Sequence, residues 1–368
     1  MKDLKFYQEI PFQSLEFLDS LKKKEVCEFK PVYHSITSAG SKLSMGFSCY
    51  AAKILIMTGQ WDNFSEQEKL KWRDYFYNFQ NSVDINYKNY FIDQNLYNYF
   101  NKYFSQFSGK FILKNIKNIV LRQKTSSINQ HIFKTINADN KQAISTMSEM
   151  NFQIRDRIYL SLNNHQNISN YLNSYDWGNP WDAGAQFSSI AVYDSIFNLG
   201  EGEELLKFIE KKVDNLTGSY FDKHPANPRQ VINGAMKVIT GLDWLNFPIH
   251  YPEKLIDYCI GNKPEFEGCD LVDYVYVLYK CSQQTEYKKD KVIEVLKEIL
   301  DYIRLLYFES KKGFSYFQNK SQTHYYGIKI SQGKNEPDIH GTMLSVWAIV
   351  MILNVLEENK FNYKVIKP

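Results

Sequence analysis

The sequence predicts an all-α fold, an (α/α)6 barrel or toroid of helical hairpins. Apolar residues recur at helical spacing through most of the chain, and no extended alternating pattern indicates a large sheet. Several segments also share one plan: a polar, glycine-bearing stretch, an apolar helix, a short turn and a more charged helix. The later copies begin about 40 to 70 residues apart, which is typical of two-helix repeats with loop insertions. Residues 1–368 are therefore predicted to form a single toroid domain.

The early copies of the repeat are the weaker ones. Residues 13–24 are predicted to supply the closing outer helix. Polar stretches at 38–41 and 138–140 precede apolar inner segments at 46–57 and 144–150. Residues 85–135, rich in Asn, Tyr, Phe and Lys, fit the period poorly, so they are interpreted as an elaboration of the domain.

The later copies are clearer. Pro180 and Asp182 are residue types that favour the start of a helix, and Gly200 is expected to end the helix that follows. Further inner helices are predicted over residues 228–241, 268–278 and 338–350, with charged partners from residue 203 and over 291–306. Short glycine–aromatic stretches at 108–111, 217–221 and 312–317 are expected to pack at the ends of the barrel.

The composition limits the classes of molecule that the chain is predicted to bind. The 27 Tyr, 25 Phe and 6 Trp make up 16% of the chain, which suits either helix packing or a pocket for a flat or apolar ligand. The net charge of +3 comes with scattered lysines, so no nucleic-acid partner is predicted. No apolar run reaches membrane-spanning length, so no membrane span is expected. The five cysteines form no CxxC pair, which favours reduced thiols and a cytoplasmic location.

In a toroid, the amino ends of the inner helices surround one mouth of the central cavity, where their free N–H groups favour negative charge. Polar residues near these predicted helix starts are the candidate site residues: Asp182, Gln186, Arg229, Asn233, Cys269, Asp270, Asp273, Asp338 and His340. Trp181, Tyr316 and Tyr326 are expected to add an aromatic platform for a substrate.

Two pairs among these residues suggest acid–base chemistry. Asp338 could orient and charge-stabilise the imidazole of His340; the alternative is a helix-capping Asp beside a packed His. Asp270 and Asp273 share a helix face at a spacing of three, so one carboxyl pKa could be raised; the alternative is one cap and one solvated residue. Cys269 is either a nucleophile or ligand, or a small packing residue.

The chain resembles the α/α-toroid proteins that include terpenoid cyclases and protein prenyltransferase β-subunits. The resemblance covers residues 175–357 and rests on Gly313-Phe314 followed by Asp338-x-x-x-Thr342, and on Gly268-Cys269-Asp270. The acidic DxDD and DDxxD motifs of terpene cyclases and synthases are missing. The resemblance to prenyltransferases implies a possible zinc set at Glu267, Cys269 and His340, although His340 lies one position from the expected place.

The leading functional hypothesis is an enzyme that acts on a carbohydrate or glycoconjugate as a lyase, epimerase or hydrolase. Asp338 and His340 would be its acid–base pair, assisted by Asp270 and Asp273, with a small-molecule or glycan substrate and no cofactor. The alternatives are an isoprenoid-handling enzyme, with or without zinc, and a non-catalytic binding protein. No phosphate loop, dinucleotide fingerprint, HExxH or GxSxG motif is present. The sequence makes no prediction about oligomeric state.

Overall fold

A computed structural model describes residues 4–24, 27–80, 87–104, 109, 112, 127–223 and 227–368 of the chain. These residues are mostly α-helical, in keeping with the predicted all-α class, and their few strands are only two residues long. Most of the glycine–aromatic stretch at 108–111 and much of the predicted elaboration at 85–135 lie outside the described residues.

Thirteen α-helices lie in this part of the chain. They are α1 Leu4–Ser20, α2 Met45–Met57, α3 Glu66–Tyr77, α4 Gln94–Lys102, α5 Ile128–Glu149, α6 Ile168–Asn173, α7 Pro180–Phe197, α8 Gly202–Glu210, α9 Pro228–Trp244, α10 Pro252–Gly261, α11 Gly268–Ser282, α12 Lys289–Leu305 and α13 Ile339–Val355. The four short strands are β1 Tyr307–Phe308, β2 Gly313–Phe314, β3 His324–Tyr325 and β4 Ile328–Lys329, and they pair as two antiparallel hairpins.

Six of these helices form a closed series of contacts. Helix α2 packs on α5, α5 on α7, α7 on α9, α9 on α11, α11 on α13, and α13 on α2 again. We call α2, α5, α7, α9, α11 and α13 the ring helices. Helices α1, α3, α6, α8, α10 and α12 each contact at least one ring helix. The element order therefore alternates between ring helices and partner helices for most of the chain.

Sequence pattern explains which helices enter the ring. Every residue of α2 is buried, and α13 is buried over nearly its whole length, because both are apolar on all sides. In α12 the buried residues form one stripe that includes Val292, Leu296 and Ile299, so its charged face is left for solvent. Despite the apolar ring helices, no described helix is long and apolar enough to cross a membrane.

Three helix boundaries differ from the predicted ones. Helix α1 begins well before residue 13 and carries Pro11 inside it, a residue that ordinarily ends a helical pattern. Helix α5 begins at Ile128, earlier than predicted. The polar Asp139 and Asn140 lie buried within this helix rather than before it. Helix α9 runs past Gly241 to Trp244, since this glycine lies against Phe187 of α7 and does not end the helix.

Different segments cover the two ends of the ring. The loop over residues 315–338 lies at the amino ends of ring helices: Tyr316 contacts Gly268 of α11, and Tyr325 contacts Gly46 of α2. At the carboxyl ends, the Lys364 N–H donates to Met57 O of α2, and the Trp244 indole of α9 donates to Pro368 O. A space enclosed by the ring is thus bounded by the loop at one end and by residues 364–368 at the other.

Candidate functional site

The ring helices enclose a cavity of about 570 Å³. All six ring helices line it, together with the loop over residues 315–338 and with Ile366 and Pro368 near the carboxyl ends. A volume of this size lies within the range of small-molecule sites in proteins.

The predicted site residues fall into two groups. Eight of them line the cavity: Trp181, Asp182, Gln186, Cys269, Asp273, Tyr316, Tyr326 and His340. The others are outside its lining: Arg229, Asn233, Glu267, Asp270 and Asp338.

His340 lies in the first turn of α13 with its ring stacked on Tyr50 of α2, at a centroid distance of 4.3 Å and an angle of 7°. Its Nδ1 is buried and has no hydrogen-bond partner among the described residues. Burial lowers the pKa of His340 to about 3, and the nearby charges of Lys53 and Lys237 act in the same direction. The imidazole is therefore neutral at physiological pH, and Nδ1 is free to bond to a ligand.

Asp273 lies in the second turn of α11 and is almost completely buried. Its Oδ1 is 3.9 Å from the Lys237 ammonium, and its Oδ2 has no partner in the described structure. Burial raises the pKa of Asp273 to about 6, against the opposing effect of Lys237 and with a further increase from Asp270. This carboxyl group can gain or lose a proton near neutral pH.

Cys269 and Tyr316 meet at the amino end of α11. The Tyr316 hydroxyl lies 3.1 Å from the Cys269 sulfur and also accepts the Cys269 N–H. Burial raises the pKa of the Cys269 thiol to about 11, so the thiolate is scarce at neutral pH. Gly268 makes this contact possible, because its φ of +50° favours glycine and a Cβ there would overlap the Tyr316 ring.

Asp338 is the N-cap of α13 and is fully engaged by the backbone. One carboxylate oxygen accepts the Gly341 N–H, and the other accepts the N–H groups of Tyr316 and Gln322. Burial raises the pKa of Asp338 to about 6, although these backbone donors oppose the change. Its geometry is that of a helix cap that fixes the covering loop to the ring.

Asp270 is likewise bound by protein groups. The Arg229 Nε lies 2.8 Å from its carboxylate, and the Asn233 amide donates to Asp270 Oδ1 at 2.6 Å. The Arg229 guanidinium also lies over the Trp181 ring, 4.9 Å from its centroid. This cluster links α7, α9 and α11 beside the cavity and holds Trp181 in its place on the cavity lining.

The remaining predicted residues are held near the amino ends as well. The Gln186 carbonyl oxygen accepts from Asn137 and from Tyr171, and Asp182 pairs with Lys134 at 2.6 Å at the exposed rim. Tyr326 follows Tyr325 in the loop, with a φ of +46°.

Four lysines of the lining were missed by sequence reasoning: Lys53 of α2, Lys134 and Lys141 of α5, and Lys237 of α9. Lys53 and Lys237 each interrupt an apolar stretch of a ring helix, Ala-Ala-Lys-Ile-Leu and Ala-Met-Lys-Val-Ile. A lone lysine in an apolar inner helix has no solvent to face unless it faces a cavity. That signal was available in the sequence.

The predicted zinc set does not assemble. Glu267 accepts the Gln318 N–H, while Cys269 contacts Tyr316 and His340 stacks on Tyr50. No group of three or more His, Cys, Asp or Glu side chains in the described ranges is arranged to hold a metal ion.

The chain was also compared with known proteins. No protein-family model, curated protein or solved structure matches it. Within a given fold, the chemistry of the site determines the activity.

Proposed function

We propose that this protein is an enzyme that acts on a carbohydrate or glycoconjugate by acid–base catalysis in the cavity enclosed by its ring helices. One observation carries the proposal: the buried atoms Asp273 Oδ2 and His340 Nδ1 lack partners among the described residues, and both residues line the same cavity. Buried polar atoms in proteins are nearly always hydrogen-bonded. Two unbonded ones in a single cavity are best explained by a ligand that bonds to them.

The two groups suit complementary roles. The pKa of Asp273, near 6, allows it to take or give a proton close to neutral pH, as a general acid or base must. His340 is neutral and can donate to or accept from a substrate hydroxyl. They project from α11 and α13, which pack against each other. Of the predicted acid–base pair, this assignment retains His340 as a catalytic group. Asp338 has a positioning role instead, because backbone donors occupy both of its carboxylate oxygens.

The rest of the lining favours a sugar over an isoprenoid. Gln142 and the ring of Trp181 face the same space as the titratable groups. A sugar ring has an apolar face that stacks on aromatic rings and hydroxyl groups that bond to amides and carboxylates. An isoprenoid chain would leave Asp273 Oδ2 and His340 Nδ1 without partners, at a cost of about 1–3 kcal/mol for each.

We further propose that the fold is an (α/α)6 toroid over a single domain. The closed contact series of the ring helices supports this architecture, as does the contact of each partner helix with at least one ring helix. The amino ends carry the loop and the carboxyl ends carry residues 364–368, as expected if the ring helices run in parallel.

The test is a screen of sugars, uronates and sugar phosphates with native protein and with Asp273→Asn and His340→Gln variants. NMR detects new reducing ends, unsaturated products or solvent deuterium at an epimerised carbon. We expect turnover of one class of sugar and a fall in kcat of about 100- to 10,000-fold in each variant. Asp301→Asn, an exposed change on α12, is the matched control and should be fully active.

Two results would contradict the proposal. The first is that the native protein turns over no sugar. The second is that it turns over a sugar on which both cavity variants keep the native kcat. Sugar binding without turnover, unchanged in both variants, would instead favour a non-catalytic binding protein.

A further inference from the structure

Three lysines lie deeper in the cavity than the predicted site residues. Lys53 is the ninth residue of α2 and Lys237 the tenth of α9, whereas Cys269 and His340 are second in their helices. Trp347 lies seven residues beyond His340 along α13, which corresponds to about 10 Å. We call Lys53, Lys141, Lys237 and Trp347 the cavity floor.

The floor carries more positive charge than the protein neutralises. Lys237 is 3.9 Å from Asp273, and among the described residues Lys141 bonds to the uncharged Ser188 hydroxyl, at 3.2 Å. The acidic residues that line the cavity in the described part of the chain are Asp273 and Asp182, and Asp182 is paired with Lys134 at the rim. Three floor lysines therefore face one lining carboxylate, so positive charge is in excess when the lysines are protonated.

The floor lysines line one cavity, and their positive charges oppose one another there. Burial lowers the pKa of Lys141 well below its ordinary value, and the charges of Lys237 and Lys53 lower it further, while Asp273 opposes them. Burial also lowers the pKa of Lys53. The charge of Lys237 lowers this pKa further, whereas Cys49 and Glu149 raise it. An anion at the floor would relieve this repulsion.

An unused hydrogen-bond donor belongs to another residue of the floor. The indole Nε1 of Trp347 is buried, lines the cavity and has no partner among the described residues. An indole N–H can only donate. The floor therefore has three lysine ammonium groups and one indole N–H as hydrogen-bond donors. This set of donors is complementary to a ligand with several acceptor oxygens.

We infer that the substrate carries a phosphoryl group, which binds at the floor between Lys53, Lys141 and Lys237. This inference rests on the proposed function and names its substrate class, a sugar phosphate. A phosphoryl dianion would favour the protonated form of these lysines, and its oxygens can accept from all the donors, whereas a carboxylate has one charge and two oxygens. The sugar ring would then lie toward the mouth, beside Asp273 and His340.

Isothermal titration with chosen probes tests the inference. The probes are inorganic phosphate, glucose 1-phosphate, geranyl diphosphate, glucuronate and glucose. We expect phosphate and glucose 1-phosphate to bind native protein, and glucose and glucuronate to bind at least about tenfold more weakly. Lys53→Met, Lys141→Met and Lys237→Met should each weaken glucose 1-phosphate binding about 10- to 100-fold, the effect of losing a charged hydrogen bond. Lys207→Met, on the exposed face of α8, is the control and should bind as native.

Each other outcome has a distinct meaning. If geranyl diphosphate binds and glucose 1-phosphate does not, the phosphoryl site is supported and the carbohydrate proposal fails. If glucose or glucuronate binds as tightly as glucose 1-phosphate, and the lysine variants bind it normally, the inference is overturned and the carbohydrate proposal stands. If no probe binds, the inference is overturned.

A second measurement keeps the test decisive where a variant does not fold, as judged by circular dichroism. Native protein is reductively methylated with and without glucose 1-phosphate, and the modified lysines are identified by mass spectrometry. Protection confined to Lys53, Lys141 and Lys237 supports the inference. Equal methylation of these lysines in both samples overturns it.

Discussion

At the scale of single residues, the cavity collects groups that the fold leaves unsatisfied. Asp273 Oδ2, His340 Nδ1 and Trp347 Nε1 are buried without partners in the part of the chain that the structure describes, and all three residues line one space. Each such atom costs about 1–3 kcal/mol of stability. Binding sites commonly carry this cost, because the groups that bind a ligand are not bonded within the protein itself.

The stability cost of the buried Asp273 carboxyl group depends on pH. Its folded pKa is about 6 against an ordinary value of 3.8, so the folded protein binds the proton more tightly than the unfolded chain. Stability contributed by this residue therefore falls as pH rises from about 4 to 6, and the cost is complete above that range. Asp273→Asn should raise the free energy of unfolding by about 1–3 kcal/mol at pH 8 and leave it unchanged at pH 4.

Urea unfolding of both proteins at pH 8 and pH 4 measures the difference. Asp301→Asn, on the exposed face of α12, should change stability little at either pH. A stability loss in Asp273→Asn at pH 8 would show that the Lys237 interaction outweighs burial, contrary to this account.

The sequence allowed the candidate residues to be named more easily than their roles. His340 and Asp273 were identified because helix starts and i, i+3 spacing are local patterns. The role of Asp338 depends on the N–H groups of Tyr316 and Gln322, which the loop brings from a distance in the chain. No local pattern contains such a long-range contact. Lys53 and Lys237 could have been found, since a charge within an apolar helix needs an explanation.

At the scale of elements, glycines set how closely ring helices approach. Helices α7 and α9 pack through Gly184, Gly234 and Gly241, and a Cβ at Gly234 would overlap Pro180. The first turns of α2 and α13 carry Gly46 and Gly341, where the loop over residues 315–338 comes into contact. The glycines of the repeat thus provide space for neighbouring chain, which is why they recur near inner-helix starts.

Gly241→Ala tests this packing role. An added Cβ would lie 2.6 Å from Cε1 of Phe187, whose ring is fully buried and has no room to move. Although alanine favours helix by about 1 kcal/mol over glycine, we expect a net loss of about 1–3 kcal/mol in the free energy of unfolding. Urea unfolding at neutral pH gives the value.

The control is Gly261→Ala at the end of α10, where an added Cβ meets no atom within 4 Å. This variant should keep native stability or gain slightly. If Gly241→Ala were as stable as Gly261→Ala, the contact between α7 and α9 would be looser than described.

Element boundaries were predictable where their signals are local. Pro180 and Pro228 begin α7 and α9 as proline at a first helical turn should. The start of α5 was not predicted, because Asp139 and Asn140 look like residues of a polar start. They are stable inside the helix because Tyr325 donates to Asp139 and the Asn140 amide bonds to Tyr193.

At the scale of the whole molecule, the closed ring brings distant parts of the chain to one site. Lys53, Lys141, Lys237, Asp273 and His340 come from five different helices, and each lines the same cavity. Closure depends on the contact between α13 and α2, where His340 stacks on Tyr50. The spacing of hairpins along the chain predicts such a ring. The contact between α13 and α2 closes the series of ring helices around the cavity.

The most direct test of this account is a crystal structure of the protein soaked in tungstate, a phosphate analogue with strong anomalous scattering. We predict an anomalous peak inside the ring, within hydrogen-bond distance of the ammonium groups of Lys53, Lys141 and Lys237. An open row of helical hairpins, or a ring whose tungstate lies only on its outer surface, would contradict it.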